Sequence, residues 1–245
     1  MAEKTGKVAR LEEIAPGVRL VTVAAVEPAA LAFRGGQFVS VRCGEGGDLR
    51  RSYTIVSAPP VPGGAGAASF ELLVKDVDGG VGTGFFAALK VGDELHFTGP
   101  MGFFVADAAH AGDVALVVTG VGIAAALPVI EETLGRSGES GRVVLEWGLL
   151  DGQPSYWTER LDRLAAASGG RFSWTLTRGA EWLGVHAALT DAVVALAPGM
   201  TQPVVYTVGN GDMIRRVRDA LVAKGLDRRK QIRNEVFYPV MEGAK

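Results

Sequence analysis

The sequence predicts a two-domain chain. An N-terminal antiparallel β-barrel over residues 1–106 is followed by a C-terminal α/β domain with a parallel sheet over residues 107–245. Three observations carry this reading. The first half holds short Val-rich segments that partly alternate apolar with polar residues, separated by Gly- and Pro-rich breaks. The second half changes period, with continuous apolar runs followed by helical stretches. Two glycines, Gly120 and Gly122, stand where the first of those runs turns into a helix.

In chain order, strands are expected at 18–26, 37–42, 51–57, 70–77 and 94–98. Breaks at 15–17, 44–47 and 58–66 separate them, and the Gly/Ala/Pro run 58–68 reads as a flexible hairpin loop. One helical segment, 83–90, interrupts the series. By spacing alone, such strands fit a small barrel or a sandwich. The boundary is expected near 104–112. Beyond it, 114–119 is an unbroken apolar run, as in a strand buried on both faces. Then follow helix 124–134, strand 142–147, helix 156–167, strand 172–177, helix 187–196, strand 204–208, helix 212–223 and a last strand, 231–238. This alternation gives βαβ units with right-handed crossovers.

Composition narrows the function. The 245 residues are 48% hydrophobic, enough for two cores. A net charge of -2 and a pI of 6.0 give no basic excess for nucleic acid. Cys43 is the one cysteine, so an intramolecular disulfide is excluded, as is an internal iron–sulfur cluster with its roughly four thiolates. His96, His110 and His186 show no metal-ligand spacing, and no metal site is expected. Residues 1–7 are polar, without the apolar segment of a signal peptide. The uncharged stretch 114–130 is shorter than the roughly 20 residues of a membrane span and contains Pro128. A soluble cytoplasmic protein with no membrane span is expected.

Two motifs carry chemistry. Thr119-Gly120-Val121-Gly122-Ile123-Ala124 follows a predicted strand and opens a predicted helix. Glycines there let the backbone approach a pyrophosphate, and the helix start offers free N–H groups. A ribose-binding acid is expected about 20 residues further on, and Glu146 stands near that spacing. In Arg51-Ser52-Tyr53-Thr54, period two puts Arg51 and Tyr53 on one face of a strand and Ser52 and Thr54 on the other.

The chain resembles the ferredoxin–NADP reductase superfamily. Arg51-Ser52-Tyr53-Thr54 is similar to its flavin signature R-x-Y-[ST], and Gly80-Val81-Gly82-Thr83 to its diphosphate-binding helix start. Gly99-Pro100-Met101-Gly102-Phe103 resembles the element before the domain boundary, and Thr119 to Pro128 the nucleotide loop. Trp147-Gly148, Thr177-Arg178 and Gly209-Asn210-Gly211-Asp212-Met213 fall in the family's order, over nearly the whole chain. The resemblance implies an FAD-binding barrel, a nucleotide-binding α/β domain, and an NAD(P)H oxidoreductase. Its electron partner would be ferredoxin, flavodoxin or a redox partner subunit.

It also implies residue roles. Tyr53 packs on the flavin ring, Thr54 hydrogen-bonds near its N5, and Arg51, Ser52, Gly80, Gly82 and Thr83 surround the diphosphate. Val74 holds the ribityl chain through its backbone. Thr119, Gly120, Gly122, Ile123, Gly148 and Arg178 hold the NADP or NAD. Gly209, Asn210 and Met213 line the nicotinamide approach. Glu235 relays a proton or orients nicotinamide, and Phe237 or Tyr238 covers the flavin. The sequence departs from the family at Ala125, where a Pro is common, and at Val208, where a Cys is common. Arg178 matches one of two basic groups often found around the 2′-phosphate, which favours NADPH. At the second position stand Gly184-Val185-His186. An accessory flavin module and a free flavin or ferric reductase are the competing readings.

Overall fold

The computed structural model describes residues 2–44, 49–61, 63–136 and 141–237. The chain divides into two compact units, Met1–Val105 with Leu127–Val129, and Ala106–Ala126 with Ile130–Lys245.

In the first unit the strands are β1 (Lys4–Ala15), β2 (Val18–Glu27), β3 (Phe38–Cys43), β4 (Leu49–Thr54), β5 (Ser69–Lys75) and β6 (Glu94–Met101), with helix α1 at Val81–Ala88. They form an antiparallel sheet in the order β4-β3-β6-β1-β2-β5. The sheet closes on itself at its ends: Ile55 bridges Leu72, and the Val56 N–H donates to the Glu71 carbonyl at 2.9 Å. Of the two architectures that spacing allows, the chain forms the barrel. Its interior is built by the inward-facing alternate residues, among them Val21 and Val23, Val39 and Val41, Phe70 and Leu72, Leu95 and Phe97.

Sequence periodicity leaves β1 without a prediction. Lys4, Lys7, Arg10, Glu12 and Glu13 interrupt its apolar pattern, and along its length only Gly6 and Val8 are fully buried. The strand is held by pairing with β2 on one side and β6 on the other. The 58–68 segment ends in an antiparallel bridge, Leu31 to Ala67, with both hydrogen bonds at 2.9 Å.

In the second unit β7 (Val114–Thr119), β8 (Val143–Leu150), β9 (Phe172–Gly179), β10 (Val204–Gly209) and β11 (Ile232–Val236) form a parallel sheet in the order β11-β10-β7-β8-β9. The helices are α2 (Ile123–Leu134), α3 (Thr158–Ala167), α4 (Trp182–Leu196) and α5 (Gly211–Ala223). Every residue of β7 and β10 is buried, as two covered faces require. Val185, Leu189 and Val193 of α4 and Met213, Val217 and Leu221 of α5 pack on the face that carries Ala115, Val117 and Val205. The segment Trp182–Gly199 is long and apolar enough to cross a membrane by composition, but its helix contributes these core residues.

Helix α4 starts at Trp182 rather than 187, because Val185 and His186 already belong to its buried stripe. Helix α3 starts at Thr158 rather than 156, because Trp157 takes a left-handed conformation (φ 64°) that ends the preceding loop.

Asp113 fastens the N-terminal end of this sheet. Its carboxylate accepts from the Arg142 N–H (2.7 Å), the Thr201 N–H (3.0 Å) and the Arg142 guanidinium (2.9 Å). Burial pushes this carboxyl up, but those donors together outweigh burial and hold it below its ordinary range.

Candidate functional site

The barrel opens where its closure ends. Continuing the Ile55–Leu72 bridge in antiparallel register would set Tyr53 opposite Val74, yet no ladder pair joins them. The first turn of α1 meets this seam. A Cβ on buried Gly82 would lie 2.2 Å from the Tyr53 Oη and 3.4 Å from the Arg51 Cγ, so only glycine lets the helix start approach these two side chains. Arg51 and Tyr53 therefore share the face that α1 covers, as the strand period requires. The Tyr53 ring meets Phe86 edge to face at 4.6 Å. Burial pushes the Tyr53 phenol up, Cys43 adds to this and Arg51 opposes it, so the phenol stays protonated and keeps its donor.

Gly80 caps α1 without any side-chain hydrogen bond, and the opening N–H groups of a helix have no partners within it. The Thr83 Oγ1 accepts from the Val77 N–H at 2.8 Å and fixes the turn before the helix. Arg51 has one Nη1 donor on the Arg50 carbonyl at 2.9 Å, and no carboxylate pairs with it among the described residues. Ser52 is exposed on the strand, whereas Thr54 is buried at its end. The seam thus brings together a guanidinium, a phenol and an uncapped helix start. That set suits an anionic diphosphate joined to a flat aromatic ring.

The second unit has its own cradle. Strand β7 leaves through α2 toward β8, and β10 leaves through α5 toward β11, so the gap between β7 and β10 is the topological switch point of the sheet. Gly120 has φ +57°, and a Cβ there would meet nothing within 4 Å, so the loop is open on that side. Its carbonyl is pinned from within by the indole N–H of fully buried Trp147 at 3.0 Å. Gly209 has φ +122°, and a Cβ there would lie 2.3 Å from the Thr119 Oγ1. That hydroxyl accepts from the Asn210 N–H at 2.8 Å, tying the two loops of the switch point together. The Asn210 side chain in turn caps α5, accepting from the Asp212 N–H at 2.8 Å.

Sheet register sets Val118, Val208 and Glu235 in one row. Burial raises the Glu235 carboxyl to about 7, so near neutral pH it can hold or release a proton. The Phe237 N–H donates to the Gly209 carbonyl at 2.9 Å, which continues β11 past the cradle. Tyr238 lies outside the described residues.

Comparison with known proteins identifies the family. Residues 5–105 match the oxidoreductase FAD-binding domain family. Ferredoxin–NADP reductase B of Sorangium cellulosum is 28% identical over 84% of this chain and 86% of its own length. The reductase component DmpP of phenol 2-monooxygenase, from Pseudomonas sp. strain CF600, is 30% identical over 98% of this chain and 67% of its own length. The chain belongs to the ferredoxin–NADP reductase superfamily. Among solved structures, the Amycolatopsis cytochrome P450 reductase GcoB superposes with a TM-score of 0.80 at 25% identity, covering 97% of this chain and 70% of that one. The Plasmodium falciparum ferredoxin–NADP+ reductase also reaches 0.80, at 14% identity over 96% of both chains, which shows the shared fold.

As a member of this superfamily the chain is an FAD-dependent NAD(P)H oxidoreductase. Several residues that the resemblance places at the coenzyme have another task in the structure. A Cβ on Gly148 would lie 2.6 Å from Val185 and 2.7 Å from Leu189, so this glycine lets α4 pack on β8. Met213 is fully buried on the core face of α5, and Ile123 is fully buried at the start of α2. Glu146 is buried in the middle of β8, paired in register with Val117 and Thr175, and so stands away from the strand end where a ribose would bind. Arg178 follows β9 and donates from Nη1 to the Gln153 and Leu150 carbonyls at 2.8 and 3.3 Å. Sequence reasoning does not single out the Trp147 indole bond or the Asp113 anchor, because each depends on which strands are neighbours.

Proposed function

We propose that this oxidoreductase passes electrons from NAD(P)H to a separate one-electron acceptor protein of the ferredoxin or flavodoxin class. The observation that supports the reading is the close approach of Gly82, at the start of α1, to Tyr53 and Arg51, which joins two motifs distant in sequence. Bound FAD supplies the hydride acceptor and the ability to give up electrons singly. Arg51 and the start of α1 bind the diphosphate, Tyr53 flanks the ring and helps exclude water, and Thr54 lies at the buried end of the same strand. Gly120 and Gly122 admit the pyrophosphate of the coenzyme at the switch point, held open by Trp147 and Thr119. Glu235 holds a proton at its carboxyl oxygen.

An acceptor outside this sequence is favoured because its single cysteine cannot hold an iron–sulfur cluster. The names of the relatives, a ferredoxin–NADP reductase and the reductase components of oxygenases, support the same class of partner. The test is anaerobic reduction of purified ferredoxin and flavodoxin by NAD(P)H and the FAD-loaded chain, read at the acceptor. Flavin-dependent reduction of either acceptor is expected. Rapid reduction of free flavin or ferric chelate with neither protein reduced would contradict the proposal.

A further inference from the structure

Strand β8 carries a residue that acts on the loop after its neighbour. Gly148 faces α4, so strand alternation turns Trp147 to the opposite face of the sheet. There Trp147 is paired in register with Val118 of β7, two residues before Gly120. Its indole is fully buried, and the ring N–H donates to the Gly120 carbonyl at 3.0 Å. An indole nitrogen only donates, so this bond is what satisfies it in the core. The Tyr156 ring meets the indole edge to face at 5.7 Å. The Tyr156 hydroxyl is buried and has no hydrogen-bond partner among the described residues, so Tyr156 supports the indole through its ring alone.

In a trans peptide the carbonyl and the next N–H point opposite ways across one plane. The bond to buried Trp147 turns the Gly120 carbonyl inward, and so turns the Val121 N–H outward. Val121 belongs to the turn Gly120–Gly122 that opens α2, where the first N–H groups have no partner within the helix. Gly120 takes φ +57° and has no Cβ to restrict it, so local sterics alone do not hold the peptide that follows in one orientation. Reversed, that peptide would aim its carbonyl oxygen at an incoming anion and leave the indole donor unmet in the core. Glycine makes room at this loop, and the indole decides which way the peptide faces.

We propose that Trp147 is a positioning residue for the coenzyme: its indole N–H locks the Gly120–Val121 peptide so that the Val121 N–H is presented to the coenzyme pyrophosphate. This rests on the oxidoreductase reading above. The test removes the donor in two ways. One is Trp147→Phe. The other replaces Trp147 with benzothienylalanine, whose ring sulfur stands where the N–H was and keeps the packing. Tyr156→Phe is the control. KM and kcat for NADH and NADPH are measured with the FAD-loaded chains and ferricyanide. The affinity for ADP-ribose is measured by calorimetry, and the Val121 amide resonance by nitrogen–proton NMR.

Both donor-free chains are expected to bind ADP-ribose about fivefold to tenfold more weakly than the unsubstituted chain. KM for the coenzyme should rise by a similar factor, with kcat and flavin content little changed. Tyr156→Phe should keep the affinity of the unsubstituted chain. A benzothienylalanine chain that binds ADP-ribose as tightly as the unsubstituted one would overturn the inference, whatever Trp147→Phe does to folding. If the unsubstituted chain binds no ADP-ribose and neither coenzyme reduces its flavin, the oxidoreductase reading fails. The Val121 amide then decides the lock by itself: a resonance that shifts or doubles when the donor is removed supports it, and an unchanged resonance overturns it.

Discussion

Two side chains, a helix start and one hydrogen atom set the seam. Tyr53, Arg51 and the start of α1 meet only because Gly82 carries no Cβ. Substitution Gly82→Ala is expected to weaken FAD binding by about tenfold or more, since the new methyl displaces the Tyr53 hydroxyl or the helix. Adding Tyr53→Phe removes the clashing oxygen and should recover part of the loss, a coupling that a double-mutant cycle of FAD affinities measures. Additive losses would place the clash elsewhere. Tyr53→Ala should release FAD, and unchanged flavin content after gel filtration would contradict the site.

Glu235 makes a different residue-scale prediction. Its carboxyl is raised from 4.5 to about 7, so between those pH values the folded chain holds a proton that the unfolded chain releases. Folding stability therefore falls as pH rises through this window and stays reduced above it. Glu235→Gln should be more stable than the unsubstituted chain at pH 8 by on the order of 2 kcal/mol and nearly equal to it at pH 4. Thermal unfolding at the two pH values checks the sign.

At the scale of elements, the anchor at Asp113 is the clearest case of one residue serving three strands. It joins the start of β7 to Arg142 before β8 and to Thr201 before β10. Asp113→Asn leaves the donors poorly matched and is expected to cost about 2 kcal/mol in urea unfolding at pH 7, discounted because the Arg142 side chain is 53% exposed. The carboxyl lies below its ordinary 3.8, so its contribution is present above that pH and is lost as pH falls through the folded value. The penalty of the substitution should shrink below about pH 4.

Elements were legible where one local pattern decides them. The buried strands β7 and β10 announce themselves as unbroken apolar runs, and α5 as an amphipathic stretch behind Asn210. Strand β1 was not legible, because pairing on both sides holds a sequence whose charges hide its period. The site followed the same rule. Local signatures such as Arg51 to Thr54 and Gly120 to Gly122 could be read. Glu146, near the spacing of a ribose acid, lies in the middle of β8, because sequence distance does not say which residue reaches the strand end.

At the scale of the molecule, residues 5–105 match an FAD-binding family, and the second unit carries a parallel sheet with a glycine loop at its switch point. The motif order along the chain foretold the superfamily, since each motif is weak alone and their order is shared with its members. The partner protein is not written in any local motif, because an electron acceptor is recognised by a surface rather than by a short signature. The most direct test of the account is an anaerobic titration of the FAD-loaded chain with NADH and, separately, with NADPH, following the visible absorption of the flavin. The account predicts stoichiometric bleaching by NAD(P)H. A chain that keeps its yellow flavin unreduced under both coenzymes, or that binds no flavin at all, would contradict it.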